Sequence, residues 1–176
     1  MNTDIDVTTA LTLIIPDELH THINLIRQQF DPAYPKWSPH INFLFPFVST
    51  DNFELIKEKL DTKLAGFGSF KLVFKEVSFF SHKKEVSIHL DPDSDAKLQE
   101  LYKIITDTLP EIKPKRDEFT PHLTIAKVSK KDADNKFMDM LKEHFKDGIE
   151  FDVTEICMIK REESEPFKIH TIISLV

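Results

Sequence analysis

The strongest constraint on how this chain folds is a motif that it carries twice. Pro39-His40-Ile41-Asn42 opens one apolar run, which continues through Phe43-Leu44-Phe45. Pro121-His122-Leu123-Thr124 opens another, which continues through Ile125-Ala126-Lys127. The two histidines lie 82 positions apart. Proline is tolerated at the first residue of a strand, where its missing N–H is not needed. Side chains on a strand alternate between its faces. His40 and Asn42 therefore share one face, with Leu44 behind them. His122, Thr124 and Ala126 share the equivalent face, while Ile41, Phe43, Leu123, Ile125 and Lys127 point away. Each strand presents one imidazole beside one hydrogen-bonding group.

The surroundings of the motif also repeat. Residues 10–15 form a short apolar run stopped by Pro16, read as a buried strand. Residues 17–30 place Leu19, Ile23, Ile26 and Phe30 at helical spacing. Three prolines make residues 31–39 a loop. The first histidine strand runs over 40–47, stopping near Pro46. Asp51 and Glu54 resemble a capping box ahead of a helix with Phe53, Ile56, Leu60 and Leu64 along one side. Gly66 and Gly68 end it. A strand over 70–80, a turn at 81–84 and a strand over 85–90 follow. The pattern then returns. A helix opens at Asp91-Pro92-Asp93-Ser94 and carries Leu98, Leu101, Ile105 and Leu109. A basic loop spans 110–118, and the second histidine strand spans 119–128. Ser129 and Asp132 suggest another capping box, before a helix striped by Phe137, Met138, Leu141 and Phe145. Strands over 151–161 and 167–175 close the chain as a hairpin.

This order predicts an α+β fold made of two similar lobes, an internal duplication with a spacing of about 80 residues. Two antiparallel sheets would face each other across a central groove, with helices outside and a pseudo-two-fold axis between the halves. Residues 1–176 form one bilobal domain in this reading. The two histidine strands would lie side by side across the groove.

Composition removes several function classes. The net charge is −7, and strong non-specific nucleic-acid binding needs a basic surface. A small phosphorylated substrate in a locally basic cleft stays compatible. With only three glycines, there is no glycine-rich phosphate loop. No apolar run reaches the roughly 20 residues of a membrane helix. The start, Met1-Asn2-Thr3-Asp4-Ile5-Asp6, is acidic and unlike a secretory or mitochondrial presequence. The single cysteine, Cys157, admits no internal disulfide and fits a reducing compartment. A cytoplasmic monomer is the expectation.

Two opposed imidazoles suit phosphoryl transfer by in-line displacement. One, neutral, takes a proton from the attacking water. The other, protonated, hands a proton to the leaving oxygen. Histidine serves both roles because its ordinary pKa is about 6.5. Thr124 and Asn42 would donate to the non-bridging oxygens, where charge accumulates. The scheme calls for no metal and no cofactor, and the acidic cluster of a two-metal phosphodiesterase is not evident near either motif.

The paired motif, with Ile125-Ala126-Lys127 after the second copy, resembles the 2H phosphoesterase superfamily, which includes 2′-5′ RNA ligase-like enzymes and cyclic nucleotide phosphodiesterases. The resemblance covers nearly the whole chain. It implies a bilobal α+β fold and metal-independent hydrolysis of 2′,3′-cyclic phosphates or related 2′-linked RNA ends. His40, His122 and Thr124 carry over as catalytic positions. Asn42 departs from the family's usual Thr or Ser, keeping an N–H donor but losing the hydroxyl. Two alternatives use the same site: a nucleotide or RNA-end binding module without turnover, and a 2′-5′ RNA ligase or 2′-5′ oligonucleotide phosphodiesterase.

Around these four residues, Lys127, Trp37, Arg116 and Phe119 are candidate substrate-binding positions. Trp37 and Phe119 each stand three residues before a histidine, where an aromatic ring can stack on a base; core packing is the default for Phe119. Lys127 would contact phosphate or end the strand in solvent. Lys113, Lys115 and Arg116 precede the second motif and Lys36 the first, as candidate rims of local positive charge. His22-Ile23-Asn24 repeats the spacing but lies in the first helix, where positions i and i+2 do not share a face. His20 and His22 are therefore read as surface or cap residues, His89 and His170 as packing residues, and Cys157 as inert.

Overall fold

The computed structural model describes residues 4–176 of the chain; residues 1–3, part of the acidic start, lie outside the described residues. In chain order the strands and helices are β1 (Ile5–Asp6), β2 (Thr9–Ile14), α1 (Asp17–Phe30), β3 (His40–Leu44), β4 (Phe47–Val48), α2 (Phe53–Leu64), β5 (Phe70–Ser81) and β6 (Glu85–Pro92). They continue with α3 (Ala96–Thr108), β7 (Leu123–Ser129), α4 (Asn135–His144), β8 (Ile149–Val153), β9 (Glu155–Lys160) and β10 (Lys168–Ser174). A 3-10 turn, Thr50–Asn52, leads into α2.

Two four-stranded antiparallel sheets carry the fold, ordered β10-β9-β2-β3 and β7-β6-β5-β8, with β1 and β4 paired apart. Each histidine strand is thus the edge strand of its sheet, beside the strand that opens its motif unit. The pseudo-symmetry extends to a defect. Between β2 and β3 the register slips so that Leu11 faces Leu44 and Thr12 faces Asn42, leaving Phe43 extra. Between β6 and β7, Ile88 faces Ala126 and His89 faces Thr124, leaving Ile125 extra. Both bulges fall three residues after the histidine. A bulge bends its strand and re-aims side chains, so Phe43 with Leu44, and Ile125 with Ala126, are buried in succession. Ala126 consequently joins the core.

One apolar core runs from the first sheet to the second, with Leu13, Ile41 and Phe47 at one end and Ile88, Leu123 and Phe151 at the other. Helix α1 follows the expected stripe, burying Ile23 and Ile26. Asp17 and Glu18 sit in its first turn and Arg27 in its last, which complements the helix dipole. Although α1 joins β2 to β3, it packs along β7 of the other sheet, tying the lobes together beneath the groove.

Several local expectations are corrected. The residues 151–161 are not one strand. The chain changes sheet at Thr154, with β8 pairing to β5 and β9 pairing to β2 and β10. The two lobes are therefore not the two halves of the sequence: β5 and β6 both belong to the second sheet, and the chain's end returns to the first. The Asp51–Glu54 capping box is replaced by Ser49, whose side chain accepts from the Asp51 backbone N–H. Helix α4 is capped by Asp134, which accepts from Phe137 N–H, while Ser129 donates to Asp132 at 2.5 Å. The first histidine strand ends at Leu44, just before Pro46, which has no N–H to give to a ladder; the Phe45–Pro46 peptide is cis. Among the described residues no helix is long and apolar enough to cross a membrane.

Candidate functional site

The two motifs build their histidines alike. His40 Nδ1 donates to the Ser38 carbonyl at 2.7 Å, and His122 Nδ1 donates to the Thr120 carbonyl at 2.7 Å. In each case the acceptor lies two residues back, in the segment set by the motif proline. The bond fixes the tautomer and leaves Nε2 as the working atom. Edge strands β3 and β7 approach each other, and the two imidazoles are near enough to feel each other's charge.

Beside His122 lies a cavity of about 360 Å³ lined by His122, Thr124 and Asn42; His40 is not among its lining residues, and Asn42, bonded to the His40 ring, reaches the cavity in its place. Ligand sites are typically ~300–1,000 Å³, and this cavity falls in that range. Arg116 and Lys115 line it from the loop before β7, and that loop is its source of positive charge. Lys113 and Lys36 lie outside this lining. Aromatic side chains supply much of the remaining wall, Phe119 and Tyr102 among them, with their rings stacked at 4.2 Å. Phe119 also packs on Phe43 of the opposite lobe at 5.6 Å, so it is a packing residue with one side on the groove.

Two sequence candidates take other positions. Trp37 does not line the cavity; it stacks on the His40 ring at 4.4 Å and 22°, with Phe167 behind it at 4.0 Å. Lys127 lies outside the cavity, where its Nζ pairs with Glu85 at 3.0 Å on the neighbouring strand.

Burial governs the electrostatics. It pushes the His40 pKa down to about 4, helped by the Arg27 and His122 charges and opposed by the Ser38 carbonyl and Asp31. Burial also lowers His122, with Arg116 acting in the same sense and the Thr120 carbonyl and Asp91 opposing. Both imidazoles are therefore mainly neutral at pH 7. The halves differ at the next position. Asn42 Nδ2 lies 3.2 Å from His40 Nε2, and because Nδ1 holds the proton, the amide is the donor. Asn42 Oδ1 is left buried without a partner.

Three groups escaped the sequence reading. Arg27, 1% exposed, pairs with Asp31 at 2.9 Å beneath the loop that leads to His40. Asp31 also accepts from Ala33 N–H at 2.9 Å, so the pair holds that loop's start. An Arg beside the apolar stripe of the helix and four residues before an Asp was the available signal. His82 lines the cavity from the β5–β6 turn and bonds Ser87 Oγ at 3.0 Å. His89 contacts His122 directly, which the sequence does not show because the two are joined only by strand pairing. The other histidines stand apart. His22 stacks on His144 at 4.4 Å, a packing contact between α1 and α4 rather than a surface position. His20 bonds the Ile15 carbonyl at 2.6 Å, and His170 is exposed. Cys157 is buried, and burial pushes its thiol up to about 12. Among the described residues no three His, Cys, Asp or Glu side chains gather as a metal site.

Comparison with known proteins agrees with the architecture. TT0787 of Thermus thermophilus matches over 96% of this chain and 97% of its own, with a TM-score of 0.62 at 15% identity. Escherichia coli LigT, crystallised with 3′-AMP, matches over 95% and 97%, with a TM-score of 0.58 at 17% identity. LigT crystallised with ATP matches over 95% and 96%, with a TM-score of 0.55 at 16% identity. No curated protein sequence matches the chain. At such identities the likeness is one of fold. The family model for the 2′-5′ RNA ligase superfamily matches residues 15–165, a span that includes both Pro-His motifs, and the chain belongs to that superfamily.

Proposed function

We propose that the protein hydrolyses 2′,3′-cyclic phosphates of nucleotides or RNA ends by acid–base catalysis between His40 and His122. The observation that carries this is the duplicated geometry: two imidazoles at the starts of neighbouring edge strands, His40 opening β3 and His122 just before β7, each with Nδ1–H bound to the carbonyl two residues back. In-line displacement needs two Nε2 positions across one phosphate, and that of His40 must first part from the Asn42 amide. One Nε2 accepts a proton as water oxygen bonds to phosphorus. The other donates a proton to the 2′ or 3′ oxygen as its bond to phosphorus breaks, giving a monoester. A bound phosphate anion raises the proton affinity of nearby imidazoles, which supplies the protonated partner that the empty site lacks. Thr124 and Asn42 face the non-bridging oxygens, and Arg116 adds charge at the rim. A nucleotide substrate accords with the ligands of LigT, which shares the fold.

The reading is tested with a 2′,3′-cyclic nucleotide in EDTA. Turnover is expected to persist without free divalent metal. His40→Ala and His122→Ala should each lose ~10²–10⁴-fold in kcat with the fold intact, the usual worth of one proton-transfer group. Unchanged rates in both variants would refute it. A second reading, ligand binding without turnover, is favoured by one observation: Asn42 covers the His40 Nε2 lone pair. Calorimetric binding of the cyclic nucleotide with no product formed would establish that reading instead.

A further inference from the structure

His89 is buried, titratable and unused by the scheme above. It is 2% exposed and stands opposite Thr124 in the β6–β7 register. Its ring stacks on Phe80 at 4.2 Å and meets the His122 ring at 5.2 Å and 63°. Its Nε2 lies 3.0 Å from Asp91 Oδ1, two residues along the same strand. Phe80 touches His122 edge-on at 5.1 Å and lines the cavity. A carboxylate, a buried imidazole and the groove imidazole thus follow one another from β6 into the site. The first lobe has no such chain, since His40 is backed by Trp37.

We propose that His89 and Asp91 are positioning residues for His122: the pair holds its ring and keeps a carboxylate behind it that favours its protonated form. This rests on His122 being one of the two working imidazoles. Either role passes through an imidazolium, as the acid before transfer or as the base after it, so a carboxylate behind the ring assists in both. Burial keeps His89 neutral, and a neutral ring with Nε2–H donates to Asp91. The charged and titratable groups around His122 are Arg116, Lys115 and Glu118 from the loop before β7, His82 from the β5–β6 turn, Asp91 and His89 from β6, and His40 from β3. Asp91 is the anion that raises its proton affinity. Arg116 opposes it in the empty site and faces the substrate anion in the filled one.

The test is a proton NMR titration of His122 and His40 in the substrate-free protein, beside the pH profile of kcat/KM. In Asp91→Asn the His122 midpoint should fall by ~0.5 pH or more, the scale of losing a nearby opposite charge, with the His40 midpoint unmoved. His89→Phe keeps a packed ring but releases the carboxylate to solvent, and should move the midpoint the same way. His89→Gln retains an N–H for Asp91 and should restore it in part. Asp93→Asn, which removes a surface partner of Lys75, should leave it unchanged. A His122 midpoint equal to wild type in both Asp91→Asn and His89→Phe overturns the proposal, whatever happens to turnover. Because the midpoint is read without substrate, loss of the hydrolase reading and loss of this one are separate results.

Discussion

Asn42 and Thr124 occupy equivalent places in the two motifs, yet only one of them reaches its histidine. The amide of Asn42 spans the distance to His40 Nε2; for His122 the ring bond is the one from Nδ1 to the Thr120 carbonyl. A hydrogen bond to the neutral form of a base disfavours the charged form. Asn42 should therefore act with burial in holding His40 down to about 4. In Asn42→Thr the shorter side chain releases the lone pair. The His40 titration midpoint is expected to rise toward the ordinary histidine range, and kcat to rise with it, because His40 Nε2 no longer has to part from the amide before taking part in proton transfer. The midpoint is read by NMR and the rate by the cyclic phosphate assay. An unmoved midpoint would mean that the amide has no hold on the ring.

At the scale of elements, the site depends on what carries each histidine strand to the groove. The buried Arg27–Asp31 pair fastens the end of α1 to the loop before β3. Removing one member of a buried pair strands the other charge, which typically costs ~3–5 kcal/mol. Arg27→Met should lower stability on that scale by urea unfolding, and a double change of Arg27→Met with Asp31→Leu should recover part of it. The approach to β8 is as demanding. Gly148 has φ +73°, and a Cβ there would stand 2.8 Å from the Phe74 carbonyl oxygen. Gly66 has a similar φ of +78° but open space around it. Gly66→Ala should cost about 1–2 kcal/mol for the left-handed backbone alone, and Gly148→Ala clearly more. Equal losses would show that the Phe74 contact relaxes freely. These elements also mark how much the sequence revealed. Helix α1 and the first histidine strand were legible because apolar period and motif proline are local signals; the second strand, expected over 119–128, begins only at Leu123, just past His122. The change of sheet at Thr154 was not, since the apolar residues on both sides of it read as one run and only non-local pairing separates them. The replacement of two capping boxes by Ser49 and Asp134 has the same origin: several Ser and Asp residues competed near each helix start, and packing chose among them. In the site, Asn42 and Thr124 were found from strand alternation, while Arg27 and His89 reach it through tertiary contacts that spacing does not encode.

For the molecule as a whole, the buried and half-buried imidazoles link the site to stability. His22, His40, His89 and His122 are all lowered from 6.5 in the folded chain, burial being the leading cause in each. A histidine whose folded pKa is depressed binds its proton more readily when unfolded. The unfolded state therefore takes up protons first as pH falls below about 6.5, and stability declines from there until the folded rings also titrate, which for His40 is at about 4. The slope follows the difference in bound protons between the two states. Unfolded carboxylates remain mostly ionised above pH 5, so the loss between pH 6.5 and 5 belongs to the histidines. The urea midpoint should fall steadily across that window and be flat between pH 7 and 8. Replacing His40 and His122 by Asn removes two of the four groups and should roughly halve the slope, even if both single variants are already less stable at pH 7. A midpoint constant from pH 7 to 5 in the parent protein would mean that the groove rings are solvated in solution, and with that the low proton affinity that makes them available as bases in the empty site would be lost.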